Sequence, residues 1–137
     1  MKYIVGDLVQ YVTTDIYRVE YCEGTYLGKN VYCLCGINSG RKSFVRECNI
    51  VPIPLTSEIL EKNGWILSGD SWLLKINDDI TLGILFFKDI IVCYVRATNE
   101  VTHKEHNFQR IKLGELHYFH QLQHILFGLG INSEMKI

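Results

Sequence analysis

Hydrophobic and polar residues alternate in short runs through residues 3–52, and turn-forming residues separate the runs. The clearest run, IYRVEYC, would divide its side chains between two faces of a strand: Ile16, Arg18, Glu20 and Cys22 on one, Tyr17, Val19 and Tyr21 on the other. The runs VYCLCGI and FVRECNIVPI follow, separated by the turn NSGRKS. This spacing predicts a small antiparallel, barrel-like β unit over residues 1–52.

A helix is predicted directly after this unit. Pro52 and Pro54 hold the chain extended. Thr56 is a suitable N-cap, and Glu58 falls in the first turn, where the helix dipole favours a negative charge. Gly64 suits the left-handed position that follows a helix. We therefore expect a short helix over residues 57–63, at the start of a second unit spanning residues 53–137.

The rest of the second unit predicts an antiparallel meander and a terminal helix. SWLLKI, ITLGILFF and IIVCYVR read as strands joined by the tight turns NDD and KD, and FQRIKL as a further strand. Apolar residues then recur at helical spacing over residues 115–129. We expect three to four strands with both helices covering one face of the meander. The predicted fold class is α+β.

Composition and charge narrow the function. The net charge of about −1 argues against a protein that binds nucleic acid through bulk charge, although a local basic patch remains open. The five cysteines are an odd number and no secretory signal pattern precedes them, so we expect free thiols in a bacterial cytoplasm. No apolar run reaches the ~18 residues of a membrane helix, so no membrane partner is expected.

Three histidines, His117, His120 and His124, fall on one stripe of the predicted terminal helix. HQLQH shares only its end spacing with the zinc-protease motif H-E-x-x-H, because Gln121 stands where that motif has its general base. A metal site would take its third ligand from His103, His106 or a cysteine. The interpretation we favour is packing: His120 and Gln123 semi-buried beside the apolar stripe, with hydrogen bonds to the backbone of neighbouring strands.

The hairpin NSGRKSFVR is the most basic patch of the chain, with Arg41, Lys42 and Arg46 close together. Gly40 could turn backbone N–H groups towards an anion such as a phosphate. The alternative is a charged hairpin tip that only aids solubility. The cysteine spacing lacks the paired C-x-x-C knuckles of zinc ribbons, so no metal is expected there either. Tyrosines, which favour recognition surfaces, concentrate in the first half: Tyr3, Tyr11, Tyr17, Tyr21, Tyr26 and Tyr32.

Three motifs carry a resemblance to a known family. IPLT (residues 53–56), EILEKNG followed by an aromatic residue (58–65) and HQLQ (120–123) resemble an uncharacterised family of small proteins from Bacteroides-type gut bacteria, their phages and mobile elements. The resemblance implies an accessory protein of phage or mobile-element type that works in the bacterial host cell. VGDLV, at residues 5–9, resembles the opening of an SH3-type small barrel.

From these features we expect a non-enzymatic binding protein, since nucleophile motifs such as G-x-S-x-G are absent. The expected partner is a host protein or a small nucleotide signal, as for an antagonist of host defence. One alternative is a nucleic-acid-binding accessory protein using the β-rich half; another is a metal-dependent hydrolase at the histidine helix. We expect no catalytic residue, cofactor or metal, and the oligomeric state stays open. The candidate ligand-binding residues are Arg41, Lys42, Arg46, His120, Gln123 and His124.

Overall fold

The computed structural model describes residues 2–11, 15–98, 108–131 and 134–137. The chain folds into two compact units: Met1–Pro54 with Tyr118–Glu134, and Leu55–His117 with Met135–Ile137. Within these described residues, each unit contains one antiparallel sheet of five strands and one α-helix. The predicted α+β class is confirmed.

The first unit contains strands β1 (Leu8–Tyr11), β2 (Ile16–Tyr26), β3 (Lys29–Gly36), β4 (Lys42–Arg46) and β5 (Ile50–Pro52), with a 3-10 turn at Glu47–Asn49 and helix α2 (Phe119–Gly128). Its strand order is β4-β3-β2-β1-β5. The sheet is not closed, so the barrel expectation is wrong: in the described part of the chain, no strand ladder joins β4 to β5. Alternation identifies strands, but it carries no signal for whether the two edge strands meet.

Two β-bulges change which side chains of β2 share a face. The register shifts between Val19 and Tyr21, and again between Cys22 and Gly24. The alternation expected from IYRVEYC therefore fails after Val19. Tyr21 joins the face that Arg18 occupies, whereas Cys22 turns to the core.

The inner face of this sheet carries the core of the first unit. Its buried residues form one cluster: Tyr3, Val9, Val19, Tyr32, Leu34, Val45 and Ile50. Helix α2 contacts β1 and adds buried apolar side chains, Phe119, Leu122 and Leu126. The ring of His120, also on α2, lies 4.9 Å from the ring of Tyr3, so the helix packs on the inner side of the sheet.

The second unit contains helix α1 (Ser57–Lys62) and strands β6 (Ile66–Ser68), β7 (Ser71–Lys75), β8 (Ile80–Phe87), β9 (Ile90–Thr98) and β10 (Phe108–Leu116), in the order β10-β9-β8-β7-β6. The predicted meander is confirmed, and β6 is an additional strand. The Thr56 hydroxyl caps α1 by accepting from the Ile59 N–H, and Gly64 has a φ of +84°, as expected. Gly83 leaves room for the ring of Tyr94, which a Cβ atom would meet at 2.2 Å.

The terminal helix differs from its prediction in two ways. It starts at Phe119 instead of residue 115, because β10 continues to Leu116, which pairs with Ile91 of β9. It also belongs to the first unit, whereas the sequence placed it in the second, covering the meander together with α1. The apolar spacing that predicted the helix does not specify which sheet the helix packs against.

In the described part of the chain, no helix combines the length and the apolar character needed to cross a membrane.

Candidate ligand-binding face

The outer face of β2–β3–β4, hereafter the outer face, is built from three rows of paired residues. One row is Arg18–Cys35–Lys42, the next Tyr21–Cys33–Phe44, and the third Gly24–Val31–Arg46. Paired residues of antiparallel strands project from the same face, so each row forms one line across the three strands. The intervening residues Tyr32, Leu34 and Val45 point into the core.

The middle row is an exposed aromatic pair above a buried thiol. The rings of Tyr21 and Phe44 meet edge to face, with centroids 6.4 Å apart. Cys33 lies between them in the row and is fully buried, although it projects outward. The two rings shield it, and 42% of Tyr21 and 62% of Phe44 remain accessible to solvent. Exposed aromatic side chains in one cluster are a surface suited to recognition.

Beside this row lies an open cavity of about 450 Å³. It is lined by Glu23, Gly24, Thr25, Tyr26, Val31, Phe44 and Arg46. The Arg46 guanidinium carbon lies 5.4 Å from the centroid of the Tyr26 ring, a cation–π contact that positions both groups at the cavity. The cavity therefore offers two aromatic rings, one cation and one carboxylate.

Cations stand at both ends of the outer face. Lys42 pairs through Cys35 with Arg18 at one end, and Arg46 lies at the other. Lys29 pairs with Tyr26 at the Arg46 end. Lys42 and Arg46 are four residues apart on one strand, which corresponds to about 13 Å between their Cα atoms. The aromatic row is thus bracketed by positive charge.

The structure brings Lys42 and Arg46 together on this face, as the sequence suggested, and places the exposed Arg41 in the turn just before β4. The proposed backbone anion site at Gly40 is not supported. The Gly40 N–H donates to the Gly36 carbonyl, and the Arg41 N–H donates to the Ser39 hydroxyl. An anion at this hairpin would therefore have to be bound by side chains.

Sequence reasoning missed Arg18, Glu23 and Phe44 as members of the face, and named Tyr21 and Tyr26 only within a general tyrosine enrichment. Phe44 could have been found, because KSFVR alternates and places Phe44 between Lys42 and Arg46. The β2 members could not, because the bulges that align them leave no clear signal in a single sequence.

The other three candidate residues lie on the inner side of the sheet, in α2. His120 and Gln123, expected to be semi-buried, are buried more completely, with 3% and 4% of their surface exposed. Gln123 bonds the backbone at the start of β1 and in the turn before it, accepting from the Leu8 N–H at 3.0 Å and donating to the Gly6 carbonyl at 3.2 Å. Such bonds within the fold favour the packing interpretation, while a ligand role for these residues remains a prediction.

His124 bonds to a buried carboxylate. Its Nε2 atom lies 2.8 Å from Oδ2 and 3.0 Å from Oδ1 of Asp7, which also accepts from the Ile4 N–H. Burial raises the pKa of Asp7, and the bonds from Ile4 and His124 offset this in part. His124, through Asp7, and Gln123, through Gly6, together attach α2 to the turn that precedes β1.

His120 is held as a neutral imidazole. Burial, followed by the nearby charges of His124 and Lys2, lowers the pKa of His120 to about 4. Its ring stacks on Tyr118 at 6.0 Å and meets the His124 ring edge to face at 5.5 Å. A neutral ring between aromatic neighbours is a packing element at physiological pH.

Within the described ranges, no group of three His, Cys, Asp or Glu side chains is arranged to hold a metal ion. His103 and His106, which were considered as additional ligands, lie outside the described residues. His117 precedes α2, between β10 and the helix, and belongs to the second unit. The expected stripe of three histidines therefore reduces to His120 and His124 on the helix.

Comparison with known proteins identifies no relative: no protein-family model, curated protein or solved structure matches the chain.

Proposed function

We propose that this chain is a non-enzymatic binding protein whose first unit binds a nucleotide-type ligand, a planar base carrying phosphate, on the outer face. The observation that carries the proposal is the exposed Tyr21–Phe44 pair with cations at both ends of its face. It supports the sequence-based expectation of a binding protein.

The chemistry of the face matches both parts of such a ligand. Stacking a base on an aromatic side chain contributes about 1–3 kcal/mol, and every base has a face that can stack. The guanidinium of Arg46 can bond a phosphate through two parallel N–H groups. A cavity of about 450 Å³ lies in the size range of small-molecule sites.

The overall charge limits the strength of this binding. A net charge of about −1 gives no long-range attraction for a polyanion. Affinity must then come from stacking and from the few cations of the face, so we expect binding of moderate affinity and a shallow dependence on salt.

The narrower role, an accessory protein of phage or mobile-element origin that antagonises host defence, is part of the proposal and is supported only by the resemblance of the three sequence motifs. In that role the ligand would be a nucleotide signal that the protein sequesters. A host-protein partner is the second candidate, because tyrosine and arginine are the residues enriched at the centres of protein interfaces.

A matched pair of phenylalanine variants tests the proposal. Phe44→Ala removes one ring of the outer face, whereas Phe127→Ala removes a similarly exposed ring from α2, at 67% exposure against 62%. Calorimetric titration with a panel of mononucleotides, cyclic dinucleotides and short oligonucleotides measures the dissociation constants. We expect binding by the wild type, at least tenfold weaker binding by Phe44→Ala and no change for Phe127→Ala. Absence of binding across the panel by folded protein, or equal losses in both variants, overturns the proposal.

A further inference from the structure

We infer that the ligand of the outer face is a segment of single-stranded nucleic acid that runs along β4. This inference rests on the proposed function and specifies its ligand. It is carried by the layout of charge and aromatic rings across the three rows, and by the position of one carboxylate.

The layout of charge distinguishes a strand from a free mononucleotide. Arg18 and Lys42 lie on one side of the Tyr21–Phe44 row, and Arg46 lies on the other. A mononucleotide carries phosphate at one end of its sugar, so its phosphate can contact the cations on only one side of this row. A strand carries a phosphate on each side of every internal base and satisfies both.

The aromatic rings provide two successive stacking positions. Phe44 belongs to the middle row, and Tyr26 lies one step beyond the Arg46 row, with the guanidinium of Arg46 over its ring. Both rings line the same open cavity. Single-strand binders combine aromatic platforms with cations that follow the backbone, and this face has both.

Glu23 provides the face with a hydrogen-bond acceptor for the edge of a base. Glu23 lines the cavity together with Arg46 and both rings, and a carboxylate in such a position repels phosphate. It can accept a hydrogen bond from the exocyclic amino group of a base, as carboxylates do with cytosine. The structure thus favours a base, not a phosphate, beside Glu23.

A length series tests the inference. The probes are cytidine monophosphate, a cytidine dinucleotide, single-stranded octamers of ribo- and deoxycytidine, and an eight-base-pair duplex, each titrated at several salt concentrations. We expect octamers to bind at least tenfold more tightly than the mononucleotide and the duplex. The tighter of the two octamers identifies the sugar that the face prefers.

Charge variants show whether both ends of the face are used. Lys42→Gln and Arg46→Gln remove one cation from opposite ends, and Lys75→Gln, an exposed lysine of the second unit, is the control. Each outer-face variant should weaken octamer binding and reduce the slope of log affinity against log salt by about 0.7, as expected for loss of one phosphate contact to a single strand. The control should leave both quantities unchanged.

The outcomes separate the inference from the function on which it rests. Mononucleotide and octamer affinities that agree within twofold, or duplex binding as tight as the single strand, overturn the inference and leave nucleotide binding in place. Loss of affinity in only one of the two charge variants also overturns it. Failure of folded wild-type protein to bind any probe overturns both.

Discussion

The guanidinium carbon of Arg46 lies 5.4 Å from the centroid of the Tyr26 ring, and both side chains line the cavity of the outer face. Arg46 is fixed at the edge strand β4, while Tyr26 ends β2, two strands away. The contact therefore spans the sheet over β3. It positions the planar guanidinium at the cavity and leaves 56% of Tyr26 exposed.

Arg46→Lys should weaken binding although the charge is kept. Lysine is a point charge that lacks the planar fork of a guanidinium and its stacking on Tyr26. We expect about a fivefold rise in the dissociation constant for a single-stranded octamer, equivalent to about 1 kcal/mol. Fluorescence anisotropy with a labelled octamer measures it. Arg41→Lys is the matched control, because Arg41 lies in the turn before β4; equal effects of the two substitutions would contradict a specific role for Arg46.

The change in affinity caused by Glu23→Gln shows whether the partner is an anion or a cation. The substitution keeps the shape of the side chain and removes a negative charge from the cavity lining. For a nucleic acid, loss of repulsion should tighten binding about two- to fivefold at low salt, and the gain should fade as salt rises. A preference for cytosine over uracil octamers should shrink in the same variant, since amide and carboxylate differ as acceptors. Weaker binding of every oligonucleotide would contradict this account.

Leu27→Asn should stabilise the first unit. Leu27 and Gly28 form the two-residue turn between β2 and β3, and both have positive φ, at +52° and +75°. Leucine is strained in this left-handed region, whereas Asn-Gly is favoured in such turns. We expect the free energy of unfolding, measured by urea denaturation, to rise by about 0.5–1 kcal/mol. Leu67→Asn, at another exposed leucine but without a positive φ, should give no such gain; a similar increase there would show that removal of an exposed apolar side chain, and not relief of backbone strain, is the cause.

His120→Phe should remove a pH dependence of stability. The pKa of His120 is lowered to about 4, mainly by burial, so the unfolded chain binds this proton more tightly than the folded chain. The free energy of unfolding should therefore fall as the pH drops from 6.5 to 4, by up to about 3 kcal/mol. Asp7 acts in the opposite direction, because its raised pKa favours proton uptake by the folded state.

The difference between wild type and His120→Phe isolates the histidine contribution, since phenylalanine keeps a ring beside Tyr3 and Tyr118. Urea unfolding at pH 4.5 and pH 7 measures it in both proteins. A pH slope unchanged in the variant would show that another group controls the acid response.

Local signals account for the elements that the sequence predicted well. Thr56 and Gly64 bracket α1, and short turns fix the order of β7, β8 and β9. Leu116 is a position where local signals do not decide between helix and strand. It fits the apolar stripe of a helix and the alternation of a strand equally well, and its pairing with Ile91 decides the outcome. Contacts between residues far apart in the chain made that choice, and one sequence does not display them.

The candidate site also has residues that local sequence patterns predict and residues that they do not. The basic run at residues 41–46 was visible because its members are close in the chain. Arg18 and Tyr21 share the outer face only because the first bulge of β2 replaces a spacing of two with a spacing of three, and the second bulge does the same between Tyr21 and Gly24. The histidines drew attention for their chemical type, yet His120 is buried and lies on the opposite side of the sheet from Phe44. Burial and bulges, which local patterns describe poorly, determine which residues can meet a ligand.

An amide NMR titration of the whole chain with a single-stranded cytidine octamer tests the central claim most directly. We predict that the largest shift changes fall on the outer face, at Tyr21, Val31, Phe44 and Arg46, while the amides of Leu122 and Leu126 in α2 and those of β7 and β8 stay in place. Changes confined to α2 or to the second sheet, or a spectrum that does not change at millimolar octamer, would contradict it.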